Sequence, residues 1–353
     1  MNNLAPLGHR ALLICCFFAT ILNTVIAQQF PTTSRKATIQ LLTTGPHSSL
    51  RGLSAVDDKI VWVSGSRGTV ALTRNGGKTW DWQQVKGFEK ADFRDIEAFS
   101  DKEAIIMSSG TPALILKTID CGASWQVKYQ NADTAYFFDA MDFDTPKHGV
   151  VLGDPIKGKF VLMETNNGGE NWNPYKNPPD ALPGEAAFAA SGTCLRIVKG
   201  AIGISSGGSK ARFIYFNITL NSWQYDPLPI LHHKSSQGVF SFAFGRDRGL
   251  FVGGDYADDK KADSVAAIAL PRLDATLIYY PVKTGPLGFQ SCVEFISGDG
   301  YLSTGTPGSN ITTDGGKTWK QIDAVSYNVC RKAKHGKLVL LAGNKGTIGV
   351  LNP

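Results

Sequence analysis

The sequence predicts an all-β protein: a seven-bladed β-propeller of four-stranded antiparallel blades, with the ring closed by an N-terminal strand. Three observations support this fold class: a turn sequence that occurs four times, seven apolar runs that each end in a glycine-containing turn, and the composition. The 353 residues include 38 glycines, and only 19% of the residues are charged. Many short strands joined by tight turns have such a composition, and repeat folds commonly use this length for a single domain.

The first 27 residues are typical of a secretory signal peptide. Arg10 is their only Lys or Arg, and the apolar run ALLICCFFATILNTVIA ends at Ala27. A basic start, an apolar stretch and small residues before the cut define such leaders. We therefore expect residues 1–27 to be cleaved, residues 28–353 to form one propeller domain, and the protein to be secreted or periplasmic. An uncleaved anchor is the alternative, but the run is near the lower limit for a membrane span, so no stable membrane insertion is expected.

Composition beyond the leader excludes several classes of protein. Four widely spaced cysteines remain, at positions 121, 194, 292 and 330, and no CxxC pair occurs. This pattern indicates neither a disulfide framework nor a zinc or redox site, so buried free thiols are expected. The net charge of +6 is mild and spread along the chain, which argues against nucleic acid as a partner.

The recurring turn sequence occurs as TRNGGKTW, TIDCGASW, TNNGGENW and TTDGGKTW. Each copy has a Thr, then Asp or Asn two residues later, Gly two residues further, and Trp at its end. The Asp or Asn side chain can accept backbone N–H bonds in a tight turn, the Gly can take a positive φ, and the Trp can pack the next strand against its neighbour. The structural residues of these turns are Asn75, Trp80, Asp120, Trp125, Asn167, Trp172, Asp314 and Trp319.

Seven apolar runs give the number of blades. Each ends in a glycine-containing turn, and the runs are VWVSGSRG, AIIMSSGTP, GVVLGDP, AIGISSGGS, LFVGGDY, YLSTGTPG and LVLLAGNKG. The blades are predicted to begin near Arg51, Arg94, Phe138, Phe188, Phe240, Ser291 and Asn328. The last unit stops after three strands, so ATIQLLTT, from Ala37 to Thr44, is predicted to supply its fourth strand and to close the ring.

The recurring turn resembles the Asp-box, or bacterial neuraminidase repeat, whose consensus is SxDxGxTW. Propellers that carry it include sialidases, sortilin-type receptors, some endoglucanases, and the photosystem II assembly and stability factors with their bacterial relatives. The chain is most similar to the last group, through its leader, its single seven-bladed propeller and its GGKTW and GxxG spacing over residues 37–352. The resemblance implies a chaperone-like assembly role. Non-photosynthetic relatives are often labelled oxidoreductases.

The sequence supports an enzymatic function less well than a binding function. A sialidase needs three arginines, a Tyr and Glu pair and an acidic Asp, but only Arg51 and Arg94 occupy matching strand starts. No GxGxxG fingerprint and no CxxCH occurs, so neither a cofactor nor a metal is expected. A glycoside hydrolase with two carboxylates remains open, and its candidates are Asp139, Asp142, Asp154, Glu185, Asp255 and Glu294.

The favoured function is a binding platform. In a propeller, each innermost strand begins on the face that also carries the turns between second and third strands, while the repeat turns lie on the opposite face. The expected ligand contacts are Arg51, Arg67, Arg94, Asp154, Lys157, Lys210, Asp255, Tyr256 and Lys345. Arg and Tyr often anchor partners, so we expect a protein or peptide partner, with a glycan as the competitor, and a monomeric ring.

The same residues also have structural alternatives. Arg51 and Arg94 could pair with acids such as Asp95 across neighbouring blades, and Asp154 and Asp255 could cap turns. The sequence does not decide between these roles.

Overall fold

Thirty short β-strands make up nearly all of the regular structure in the computed structural model, which describes residues 36–352 apart from residues 199 and 273–275. The predicted leader, residues 1–27, lies outside the described residues. Within the described part, no helix has the length and apolar character of a membrane span.

The strands fall into seven groups along the chain. Their bounds are β1 (Thr38–Thr44), β2 (Leu50–Ala55), β3 (Val61–Gly65), β4 (Thr69–Thr73), β5 (Asp81–Gln84), β6 (Phe93–Ala98), β7 (Ala104–Ser108), β8 (Ala113–Thr118), β9 (Gln126–Asn131), β10 (Phe138–Phe143), β11 (Gly149–Ile156), β12 (Lys159–Thr165), β13 (Asn173–Pro174), β14 (Glu185–Ala186), β15 (Leu195–Val198), β16 (Ala201–Ser205), β17 (Gly207–Gly208), β18 (Arg212–Asn217), β19 (Ser222–Pro227), β20 (Gln237–Phe244), β21 (Gly249–Asp255), β22 (Ala266–Pro271), β23 (Leu277–Pro281), β24 (Cys292–Ser297), β25 (Gly300–Gly305), β26 (Gly308–Thr312), β27 (Lys320–Asp323), β28 (Val329–Lys332), β29 (Val339–Ala342) and β30 (Thr347–Asn352).

Each blade is a four-stranded antiparallel meander. Blades 1, 2, 3 and 6 have the strand orders β2-β3-β4-β5, β6-β7-β8-β9, β10-β11-β12-β13 and β24-β25-β26-β27. Blade 4 has the order β15-β16-β18-β19, and blade 5 contains β20-β21-β22-β23, extended on the β20 side by the short strands β17 and β14. The seven-bladed fold predicted from the sequence is confirmed.

The ring is closed by the N-terminal strand, as predicted. Blade 7 has the order β1-β30-β29-β28, and β1 pairs antiparallel with β30 from Thr38 opposite Asn352 to Thr44 opposite Thr347. Ile39 and Leu42 of β1 pack against the buried cluster between blades 7 and 1. The start and the end of the propeller therefore stabilise each other, and the last blade has no missing strand.

The four repeat turns share one hydrogen-bond pattern. In each, the Thr hydroxyl accepts the N–H of the Gly four residues later at 2.9–3.0 Å. The Asp or Asn Oδ1 accepts the N–H of the residue four positions later at 2.9–3.0 Å. The Asp or Asn side chain thus closes the turn, as its spacing predicts.

The tryptophan that ends each repeat turn packs against a core between blades. Trp172 is buried, and Trp80, Trp125 and Trp319 are half-buried. Trp125 of blade 2, for example, meets Trp62 of blade 1 edge to face, with ring centroids 6.3 Å apart. These rings pack neighbouring blades against each other, so their role is structural.

The four cysteines in the described part of the chain are free thiols. Cys194, Cys292 and Cys330 are buried and Cys121 is half-buried.

The start of blade 4 was predicted wrongly. Its innermost strand begins at Leu195, not near Phe188. Residues 187–194, which we call the channel segment, are all buried and precede the blade. The apolar residues around Phe188 look like a strand in sequence, but here they are buried by the central channel and not by sheet pairing.

The channel segment forms hydrogen bonds with every other blade. Its partners are Arg51 at Ala190 O, Arg94 at Ala189 O, Asp154 at Ala187 N, Ser241 at Thr193 Oγ1, the Ser291 carbonyl at Ser191 Oγ, and Arg331 at Gly192 O. Gly192 is needed in the segment because its φ is +67° and an added Cβ would lie 2.2 Å from Asp95 Oδ2. The segment therefore occupies the axis of the ring.

Candidate functional site

The innermost strands begin around a cavity of about 390 Å³, which we call the mouth cavity. Residues 187–190 of the channel segment line it, together with side chains from blades 1, 2, 3, 5, 6 and 7. Four of the predicted ligand contacts, Arg51, Arg94, Asp154 and Tyr256, meet here. Concave sites of this size that combine apolar walls with a few polar groups are typical ligand sites.

Two arginines form the cationic side of the mouth cavity. They are the second residues of β2 and β6, so equivalent positions of adjacent blades bring them together. Arg51 Nη1 donates to Ala190 O at 3.2 Å, and Arg94 Nη1 donates to Ala189 O at 3.4 Å. The two guanidinium groups are thus held against consecutive peptide units of the channel segment.

The two arginines differ in their ion pairs. Arg94 Nε binds Asp92 Oδ2 at 2.7 Å, and its guanidinium lies 5.9 Å from the centre of the Phe137 ring. Arg51 forms no ion pair with a carboxylate in the described part of the chain, and burial together with the neighbouring Arg94 lowers the pKa of Arg51 to about 10. A buried positive charge without a direct counter-charge favours the approach of an anion. Neither arginine pairs with Asp95, which was the structural alternative.

Two carboxyl groups from blade 3 lie beside the arginines. Asp139 is 1% exposed, and its Oδ2 has no hydrogen-bond partner within the described protein. Burial and the neighbouring Asp154 raise the pKa of Asp139 well above its usual range, against the effect of Arg94 and of the Ala189 N–H. The raised pKa widens the pH range over which Asp139 is a neutral acid, and a neutral carboxyl group can donate a hydrogen bond.

Asp154 combines a structural contact with a position in the cavity. Its Oδ1 accepts the Ala187 N–H at 3.2 Å, so it holds one end of the channel segment. Burial raises the pKa of this carboxyl group. Asp154 is thus not the simple turn cap that was the structural alternative.

Aromatic side chains from blades 5 and 6 and the channel segment form the apolar side. Phe188 stacks on Phe240 with ring centroids 3.7 Å apart, and Phe289 meets Phe240 edge to face at 4.7 Å. Tyr256, which is 53% exposed, adds its ring at the rim, 6.1 Å from Phe240. The mouth cavity is therefore cationic on one side and aromatic on the other.

The remaining predicted contacts do not line this cavity. Arg67, Lys157, Lys210 and Lys345 are exposed on the turns between second and third strands. Asp255 is 2% exposed, accepts hydrogen bonds from Gln237 Nε2 at 2.8 Å and the Ala257 N–H at 2.9 Å, and so holds its own turn. Of the nine predicted contacts, only Arg51, Arg94, Asp154 and Tyr256 therefore reach the cavity.

The sequence interpretation missed most of the aromatic side. Phe188, Phe240 and Phe289 are far apart in sequence, and two of them were considered only as blade starts. Asp139 was considered only as one of six hydrolase candidates. The one sequence feature that could have singled it out is its position: like Arg51 and Arg94, it is the second residue of an innermost strand.

The opposite end of the channel contains a second cavity, of about 470 Å³, which is lined by two ion pairs and by charged groups that bind the backbone, such as Arg331 at Gly192 O. Arg196 binds Glu294 at 2.9 Å, Lys334 binds Glu97, and Asp142 Oδ2 accepts the Ile197 N–H at 2.5 Å. Glu185, elsewhere, pairs with Arg212 at 2.5 Å. Of the six candidate hydrolase carboxylates, only Asp139 and Asp154 therefore share a cavity that is not dominated by internal ion pairs.

Comparison with known proteins relates the chain to assembly factors of photosystem II. Residues 33–132 match the family model described as photosynthesis system II assembly factor YCF48. A stretch of 117 residues is 38% identical to the photosystem II stability/assembly factor HCF136, chloroplastic, of Oryza sativa subsp. japonica. This match spans 31% of the chain but only 26% of the rice protein.

Solved structures extend the likeness over the whole propeller. YCF48 from Cyanidioschyzon merolae has a TM-score of 0.64 and 18% identity, and the match covers 90% of this chain and 99% of that one. A structure of YCF48 bound to D1 peptide has a TM-score of 0.62 and 16% identity, with 90% and 97% covered. U3-55K is nearly as similar in shape, with a TM-score of 0.61, 12% identity and 90% and 98% covered, so these structures establish the fold and not the function. The local sequence matches and the seven blades together confirm the expected resemblance: this chain is a seven-bladed β-propeller that is similar in sequence, over residues 33–132, to the photosystem II assembly factors.

Proposed function

We propose that this propeller binds a segment of a protein partner in the mouth cavity and acts in protein assembly or scaffolding, without catalysis. The observation that carries the proposal is the pair of arginines, Arg51 and Arg94, held by the channel segment beside an aromatic wall. Arginine and aromatic side chains in a desolvated pocket are the usual anchors of protein interfaces.

The comparisons support a peptide as the occupant. A propeller of similar fold has been solved as YCF48 bound to D1 peptide, and the local sequence matches are to assembly factors. An extended peptide can place a charged group on the arginine side and an apolar side chain on the aromatic side of the same cavity. We further propose, from residues 1–27, that binding takes place in the periplasm or outside the cell.

Affinity purification of the tagged full-length chain from its native host tests this proposal. The mouth variant Arg51→Gln/Arg94→Gln removes two positive charges from the cavity. The control variant Lys78→Gln/Lys317→Gln removes two exposed charges from repeat turns on the opposite face. Thermal melts of all three proteins establish that each is folded.

We expect one or more proteins to elute with the wild type and the control, and to be lost from the mouth variant. Equal recovery with all three proteins would contradict a binding site at the mouth. Recovery of a glycan, with its loss in the mouth variant, would support the competing glycan hypothesis and refute a protein partner.

A further inference from the structure

We propose that the mouth cavity recognises the free C-terminal carboxylate of a peptide whose last residue has an apolar side chain. This inference rests on the proposed function, because it specifies which part of a protein partner enters the cavity.

The cationic side of the cavity suits a carboxylate. Arg51 uses one Nη atom to reach Ala190 O, and Arg94 uses one Nη and its Nε for Ala189 O and Asp92. The planar guanidinium groups keep other N–H donors, and carboxylates are the anions whose two oxygens match such donors best. Because the cavity is concave and partly apolar, a charge-assisted hydrogen bond there is stronger than on an open surface.

Asp139 is a second, independent indication that the cavity binds a carboxylate. Its side chain is buried, lines the same cavity and leaves Oδ2 without a partner in the described protein. A neutral carboxyl group can donate its O–H to a ligand carboxylate, and two carboxyl groups that share one proton form a strong hydrogen bond. A doubly charged phosphate is a poorer match, because only two arginines would balance its charge beside Asp154.

The aromatic side defines the residue attached to that carboxylate. Phe188, Phe240 and Phe289 are packed ring on ring, and they face the same cavity as the arginines. The last side chain of a peptide branches from the carbon next to its carboxylate. It can therefore reach these rings when the carboxylate binds the arginines, and an apolar side chain gains most from this contact.

A peptide also fits the open rim better than a small acid does. Tyr256 is half exposed there, and Asn344 places a side-chain amide at the edge of the cavity. These groups can contact the peptide units that precede the last residue. The exposed turns beyond carry Arg67, Lys157, Lys210 and Lys345.

The test compares free acids with amides. Fluorescein-labelled pentapeptides share the body Gly-Ser-Ala-Gly and end in Phe, Leu, Ala or Lys, each prepared as the free acid and as the C-terminal amide. Binding to the full-length chain is measured by fluorescence anisotropy at pH 6. We expect the acids that end in Phe or Leu to bind about tenfold or more tightly than their amides, and also more tightly than the acids that end in Ala or Lys.

Two variants locate the effect. Arg51→Gln should abolish the preference for the acid, whereas Lys78→Gln, on an exposed repeat turn of the opposite face, should leave it intact. Equal affinity for acid and amide, or no measurable binding of any acid, would overturn the inference. Suppose that the peptides show no preference for the acid. If the mouth variant nevertheless loses its protein partner in affinity purification, the proposed function stands and only C-terminal recognition fails. If the mouth variant keeps the partner, the proposed function and C-terminal recognition both fail.

Discussion

Asp139 is a buried acid whose ionisation destabilises the fold. A carboxyl group with a raised pKa in the folded state binds a proton that the unfolded state releases. Stability is therefore lost as the pH rises from the unfolded pKa, about 4, up to the raised pKa in the folded protein. Such a penalty is common at functional sites, where a group is kept for its chemistry.

The first prediction follows from that penalty. Asp139→Asn removes the ionisable group and keeps its shape, so the variant should be more stable than the wild type at pH 8. The difference should shrink toward pH 4. Urea unfolding at the two pH values measures it. A wild type that gains stability relative to the variant between pH 4 and 8 would contradict a raised pKa at Asp139.

A second prediction concerns the same proton and the ligand. Asp139 is faced by Asp154, Arg94 and Cys194, and it must keep its proton to donate a hydrogen bond to a ligand carboxylate. The affinity for a peptide acid should therefore fall, by up to about tenfold per pH unit, as the pH rises through the pKa of Asp139. Asp139→Asn should bind with little pH dependence. The anisotropy titration, repeated from pH 5 to 9, measures the affinity of the wild type and of the variant. If the affinity of the variant fell equally steeply with pH, the proton would belong to another group.

At the scale of elements, the channel segment shows why small residues occupy the centre of the ring. Its eight residues, AFAASGTC, leave room for the side chains of Arg51, Arg94 and Arg331 that converge on its carbonyl groups. The segment fixes the two mouth arginines, so its packing affects the site as well as the stability.

The third prediction tests this packing with two matched glycines. Gly192→Ala adds a Cβ 2.2 Å from Asp95 Oδ2 at a φ of +67°, whereas Gly200→Ala adds one in open space at a φ of +79°. Both variants carry the strain of a positive φ, about 1–2 kcal/mol. Gly192→Ala should therefore lose clearly more stability than Gly200→Ala. It should also weaken binding at the mouth. Urea unfolding of the two variants gives the comparison, and equal losses would show that the segment is loosely packed.

The elements that the sequence predicted are those defined by local chemistry. The repeat turns could be recognised because Thr, Asp or Asn, Gly and Trp make their contacts within eight residues. The channel segment could not be, because Phe188 and its neighbours are buried by six other blades. The same holds for the site: Arg51 and Arg94 follow from the start of each innermost strand, while the Phe188, Phe240 and Phe289 cluster depends on contacts distant in sequence.

At the scale of the whole molecule, ring closure connects the two ends of the chain. Ile39 and Leu42 of β1 pack against the core between blades 7 and 1. Ile39→Ala/Leu42→Ala should lower the free energy of unfolding by about 2–4 kcal/mol for the pair. Leu41→Ala, on the same strand but 55% exposed, should change it by less than about 0.5 kcal/mol. Urea unfolding of the two variants measures how much ring closure contributes to stability. Equal free energies of unfolding in the two variants would show that this contribution is negligible.

The two ends of the channel differ in how their charges are used. At the end opposite the mouth, Arg196 and Lys334 are paired with Glu294 and Glu97. Arg331 has no ion pair there, but against the effect of burial the nearby acids, Glu294 first, raise its pKa, whereas the pKa of Arg51 is lowered. At the mouth, Arg51 has no carboxylate partner in the described chain and Asp139 has an unpartnered oxygen. This asymmetry is the reason for assigning the binding face to the mouth.

Site-specific photo-crosslinking tests that assignment most directly. A benzoylphenylalanine at position 256 replaces the half-exposed Tyr256 at the rim, and one at position 119 replaces Ile119, which is 64% exposed on a repeat turn of the opposite face. After irradiation in the native host, we expect a protein partner to be attached at position 256 and not at position 119. A partner attached at position 119 alone would contradict binding at the mouth.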